Sequence, residues 1–151
     1  MTPPNIPFFY RLWHLYLEPF AALGGVYHLH VVPREYISFM PSTSQYHPTS
    51  QIVYDQLAST YFLFAFIEGI LLRVVDDLRV WWWIVFGLAL CDAGHIYAAW
   101  SEMGTELILS PWLWSQKDVV TNVLNVLPFV TRAAFLLGLG VKSNAKGTKQ
   151  A

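Results

Sequence analysis

The sequence predicts an all-α fold, a four-helix transmembrane bundle that makes one integral membrane domain of residues 1–151. Three observations predict it: the composition, four apolar stretches of spanning length, and the prolines and charges that separate them. The chain is 55% hydrophobic and 17% aromatic but only 13% charged, against about 25% charged residues in a soluble domain. So few charges could not cover a core of this size with a solvated surface. The positive mean hydropathy makes the bilayer the natural solvent.

The four stretches run from Phe8 to Val32, Leu57 to Val75, Val80 to Trp100 and Val119 to Val141. Each is close to the ~20 residues that a helix needs to cross a hydrocarbon core. The first is interrupted by Arg11, His14 and Glu18 and lacks a small-residue cleavage site after a clean apolar run, so it reads as a retained span. Pro33, Pro41 and Pro48, with several serines and threonines, mark a polar connection outside the bilayer. Asp76, Asp77 and Arg79 make a tight turn between spans two and three, and the segment from Ser101 to Asp118 is expected as a surface loop holding Pro111, Trp112 and Trp114. Residues 142–151 are expected as a disordered tail.

Four spans put both termini and the Asp76 turn on one side, which collects Arg11, Arg73, Arg79, Lys142, Lys146 and Lys149 against Arg34 and Lys117 on the other. The positive-inside rule then predicts cytosolic termini. Trp81, Trp82 and Trp83 fall near one interface and Trp100, Trp112 and Trp114 near the other, where amphipathic rings settle.

The net charge of −1, without a basic run, excludes nucleic acid as an expected partner. Cys91 is the single cysteine; it excludes an internal disulfide and reads as a packing residue. His28 and His30 are two apart, which points them about 200° away from each other on a helix, and the chain has no quartet of metal-ligand spacing. No phosphate loop, nucleophile elbow or zinc-protease motif is present. The expectation is no metal and no cofactor.

Chemistry must then rest on polar residues inside the spans, where an ionisable group costs ~2.5–3.5 kcal/mol and usually faces the protein interior. Glu18, Glu68, Asp92, His95 and Arg132 are such residues, accompanied by Asn122 and Asn125. Counted at ~1.5 Å per residue from the same membrane face, Glu18, Glu68, Asp92 and Arg132 lie at similar depth. His14 shares a face with Glu18, Asp92 with His95, and Asn122 and Asn125 with Arg132. Pro19 and Pro128 cannot donate to the carbonyls of Leu15 and Leu124, so each should kink its span and leave a free acceptor. Arg132 has two readings, a structural partner for Glu68 or Asp92 and a member of a site.

Desolvation disfavours the charged form of a carboxyl group, which lets an acid in such a cavity serve as a general acid. The catalytic candidates are Glu18, Glu68, Asp92 and His95. The expected chemistry is protonation of an alkene or epoxide, migration or ring closure of the cation, and proton loss to a second base. Trp13, Tyr16, Tyr61, Phe64 and Tyr97 are candidates to shield the cation, with Asn122, Asn125 and Arg132 as further substrate contacts.

The runs PFFYRLWHLYLEPFAALGG, FAFIEGILLRVVDDLRVW and ALCDAGHIYAAW resemble a group of small, four-span fungal integral membrane proteins known mainly as a domain of unknown function. The resemblance spans Pro7 to about Gly140 and implies Glu18, Glu68, Arg73, Asp77, Asp92 and His95 as motif positions. The layout is also similar to the emopamil-binding superfamily, which includes sterol isomerases and sterol-binding receptors; that likeness is architectural. A third likeness is to fungal membrane terpene cyclases, which protonate an epoxide with buried carboxylates but have longer chains and more spans.

The resulting expectation is an isomerase or cyclase of the endoplasmic reticulum that acts on a lipophilic isoprenoid-like or sterol-like substrate, with secondary metabolism implied by resemblance. The alternative is a non-catalytic membrane protein that binds such a ligand or scaffolds a pathway enzyme. Membrane lipid is the expected surrounding partner, and self-association or pathway enzymes are the other partners compatible with this reading.

Overall fold

The computed structural model describes residues 6–141, and among these residues every element is helical. Four long helices dominate: α1 (residues 8–31), α2 (Pro48–Val74), α3 (Leu78–Ile108) and α4 (Gln116–Leu136). The last three are long and apolar enough to cross a membrane. Helix α1 has the length, about 36 Å at 1.5 Å per residue, but Arg11, His14, Glu18, His28 and His30 make it less apolar. Only 28% of each of the three apolar spans is buried inside the protein. The rest presents side chains such as Phe62, Trp83, Tyr97 and Val130 outward, as expected of lipid-facing helices. The chain is an integral membrane protein.

Helix α1 packs on α2, and α3 on α4. Two apolar clusters hold the ends. Tyr10, Leu15, Leu72, Trp81, Val85 and Phe135 pack at the end that contains both the α2–α3 turn and residues 6 and 141; Leu29, Tyr36 and Ala58 pack at the other. The first end is closed further by the Tyr10 hydroxyl, which donates to the carbonyl of Leu139 (3.0 Å).

Local sequence explains where the helices stop and bend. Asp77 caps α3 by accepting from the backbone N–H of Arg79 (2.7 Å), and Ser115 with Asp118 forms a reciprocal capping box at the start of α4. Both α1 and α2 contain one π turn, Trp13–Leu17 and Ile67–Leu71, and these turns lie against each other. Pro19 ends the first of them. The carbonyl it leaves free at Leu15 accepts a 2.6 Å hydrogen bond from Arg73 of α2, whose guanidinium also lies 4.5 Å over the Tyr16 ring. A Cβ at Gly69 would stand 3.4 Å from Cβ of Pro19, so a small residue there permits the two π turns to approach.

Three segments differ from the sequence expectation. Helix α2 starts before Leu57, because Gln51, Asp55 and Gln56 extend it as a polar first turn. Helix α3 passes Trp100 and runs to Ile108, with Glu102 and Glu106 exposed and a break at Gly104, whose φ is +76°. Only residues 109–115 form the connection that was expected from Ser101 to Asp118. Helix α4 starts at Gln116 and stops at Leu136, ahead of Gly138 and Gly140, both at positive φ. Trp81 is also not an interfacial ring: it is 3% exposed and donates to the carbonyl of Val75 (3.0 Å). The tail at 142–151 lies outside the described residues.

The connection after α1 folds back over the bundle. Pro33–Tyr36 and Ile37–Phe39 form short helical turns. Asp118, 1% exposed, accepts from the backbone N–H (2.8 Å) and hydroxyl (3.1 Å) of Ser42, and the Thr121 hydroxyl donates to the carbonyl of Phe39 (2.7 Å). Replacing Asp118 by Ala removes both this latch and the carboxylate half of the capping box, while Ser115 stays as the N-cap, so Asp118→Ala should destabilise the protein by about 2 kcal/mol. Asp118→Asn, which keeps one acceptor oxygen, should cost less; thermal unfolding in detergent measures both.

Candidate functional site: an acid cluster under an apolar cavity

The four helices each contribute one charged side chain to a single buried contact. The guanidinium of Arg132 (α4) donates from Nη2 to Oε1 of Glu68 (α2) at 2.9 Å, lies 3.0 Å from Oε1 of Glu18 (α1), and pairs through Nη1 with Asp92 (α3). His14, fully buried one turn before Glu18, bonds through Nδ1 to Oε2 of Glu18 at 2.8 Å and lies 3.5 Å from Glu68. The π turns explain how one imidazole reaches both acids, because each adds a residue to its turn and rotates the following face.

This cluster floors a cavity of about 380 Å³. Its walls are mainly apolar and aromatic, formed by Ala21, Ala22, Phe39, Met40, Phe64, Leu88, Leu124 and Pro128, and the Tyr36 and Tyr61 rings close one side. Glu18, Glu68, Asp92, His95 and Arg132 all border it, as does Asn125. His28 borders it too and is held by the carbonyl of Gly24 (2.8 Å), while His30 turns away to pair with Asp55 (2.9 Å). Cys91 is half-buried on the cavity wall.

The catalytic candidates Glu18, Glu68, Asp92 and His95 are therefore brought together on one cavity. Among the other candidates, Tyr61, Phe64, Asn125 and Arg132 line it as well. Four do not. Tyr97 is 72% exposed on the outer face of α3, and Tyr16 packs on Arg73. Trp13 stacks on Phe9 (ring centroids 6.1 Å apart), and Asn122 donates to the carbonyl of Asp118 (2.8 Å). Sequence spacing ties His14 to Glu18 but carries no sign of its second contact with Glu68. Tyr36 has no signal at all, since it sits in a polar connection.

His14, Glu18 and Glu68 bring ligand-type atoms within 4.8 Å of one another. A divalent ion there would face the Arg132 guanidinium, fixed 2.9–3.0 Å from the same two carboxyl groups. The donor set fits an organic cation already in place better than a metal.

Removing Arg132 would leave three buried carboxyl groups without their cation. Arg132→Met should lower stability by about 3–5 kcal/mol, and Arg132→Lys, which keeps the charge but not the fork, by less. Unfolding in detergent reads both, and an unchanged midpoint for Arg132→Met would contradict the pairing.

No curated protein and no solved structure matches the chain. One family does, over residues 4–142, and nearly the full length is covered. The chain belongs to the family described as domain of unknown function DUF7704.

Proposed function

We propose that this protein is an integral membrane isomerase or cyclase that acts by acid-base catalysis on a lipophilic, isoprenoid-like or sterol-like substrate. The observation that supports the reading is the count of charges beneath an apolar cavity. Three carboxyl groups face one guanidinium, and even with His14 as imidazolium one negative charge is left over. Charge is costly in this environment. A proton retained on one of the three carboxyl groups neutralises the cluster and stands ready at the cavity floor.

That proton is transferred to an alkene carbon or epoxide oxygen of the substrate. The carbocation that forms, directly or on opening of the epoxide, migrates or closes a ring against the faces of Tyr61 and Phe64. Loss of a proton to His95 or to a second carboxylate returns the neutral product, so protons balance and no redox partner is consumed. Delivery of the substrate from lipid fits a location in the endoplasmic reticulum with cytosolic termini, and the resemblance noted above favours a role in fungal secondary metabolism.

A second reading has its own support. Every carboxyl group of the cluster already contacts Arg132, which suits a bundle that is held together by polar links and binds its ligand without chemistry.

The two readings separate on amide variants. In the source organism with the gene deleted, restoring wild type should restore the metabolite profile. At least one of Glu18→Gln, Glu68→Gln and Asp92→Asn should accumulate the same intermediate as the deletion while the protein is present at normal level. A normal profile from all three variants would leave the binding reading alone.

A further inference from the structure

At the far side of the cavity from the acids, the hydroxyls of Tyr36 and Tyr61 share one hydrogen bond of 2.8 Å. Two phenols carry two O–H hydrogens and only one lies between them, so the pair always offers a second O–H. Among the described residues neither hydroxyl has another partner, and both side chains border the cavity. A donor shielded from water costs free energy until an acceptor meets it.

Two contacts hold the pair in place. Gly25 of α1 lets the Tyr61 ring lie against the helix backbone; a Cβ there would come within 2.5 Å of Cδ2 and 2.8 Å of Cε2. The His95 ring meets Tyr61 edge-on, with centroids 6.3 Å apart. Tyr61 and Glu68 are seven residues apart on α2, hence on one face and about 10 Å from each other along the axis.

We propose that the Tyr36–Tyr61 pair is an anchor for a neutral oxygen atom of the ligand, donating its spare O–H to a hydroxyl, ether or carbonyl oxygen. The ligand is then an oxygenated lipophile whose oxygen sits about two helical turns from the acid cluster. The excess of carboxyl groups over Arg132 disfavours an anion. A cavity of about 380 Å³ is in the range that small-molecule sites occupy. The inference rests on the cavity being a ligand site, and not on the acid-base chemistry.

The test uses the full chain in lipid nanodiscs and three photoreactive probes on one branched C12 skeleton: a diazirine-bearing primary alcohol, its methyl ether, and the parent hydrocarbon. At equal mole fraction in the membrane, the alcohol and the ether should each label the cavity wall about fivefold more than the hydrocarbon, the factor expected of one net hydrogen bond. The double variant Tyr36→Phe with Tyr61→Phe should remove that preference, while Tyr97→Phe, on the outer face of α3, should keep it.

Equal labelling by all three probes in wild type would overturn the anchor. So would an ether that labels as weakly as the hydrocarbon, since the ligand oxygen would then act as a donor, and so would a preference that survives in the double variant. The wild-type probe series decides the matter even if the double variant does not fold. Labelling as expected, together with normal metabolites from all the amide variants, would keep the anchor and remove the catalysis; the reverse pattern would keep the catalysis and remove the anchor.

Discussion

The contact of Arg132 with Glu18, Glu68 and Asp92 is the constraint from which the rest of the bundle follows. Helices in lipid gain little from burying apolar side chains against one another, so close packing and polar links set their arrangement. Here a single guanidinium ties the α1–α2 pair to the α3–α4 pair. Each ionisable group would be costly alone in the membrane, and together they cancel most of one another's charge. The apolar clusters around Phe135 at one end and Leu29 at the other pack the bundle on either side of the link.

The departures from regular helix serve the same contact. Both π turns lie at it, and so does Pro19, whose missing N–H frees the Leu15 carbonyl for Arg73. Pro128 lies inside α4 one turn before Arg132 and contributes to the cavity wall with Asn125. Over the opposite side, the segment from Pro33 to Ser42 is latched by Asp118 and Thr121, which brings Tyr36 and Phe39 to the cavity. The outcome is a polar floor, apolar walls and a phenolic pair opposite, enclosed within helices whose outer faces suit lipid.

Much of this was legible in the sequence because membrane insertion makes polar residues conspicuous. Equal depth along the spans brought Glu18, Glu68, Asp92 and Arg132 to one level, and the structure supplies the helix rotations that level required. The free acceptor left by Pro19 was legible for the same reason, as was the divergence of His28 from His30. Aromatic residues were harder. Tyr61 and Tyr97 are equally apolar in pattern, and only packing turns one into the cavity and the other to the outer surface. The segment from Ser101 to Asp118 was expected as a loop on Pro111, Trp112 and Trp114, yet helical turns continue past Trp100 to Ile108 across a break at Gly104, with Glu102 and Glu106 exposed. Tyr36 depends on the fold of a whole connection, which no local pattern encodes.

The central claim is that the cluster under the cavity retains a proton on a carboxyl group at neutral pH. Infrared spectroscopy of the protein in nanodiscs tests it directly, through the C=O stretch of a protonated carboxyl group in a buried setting. Such a band should appear at neutral pH and should be lost in each of the variants Glu18→Gln, Glu68→Gln and Asp92→Asn, because the two carboxylates that remain then balance Arg132 and the His14 imidazolium. A spectrum with only ionised carboxylates, unchanged by any of the three substitutions, would contradict it and leave Arg132 and its partners as a structural link.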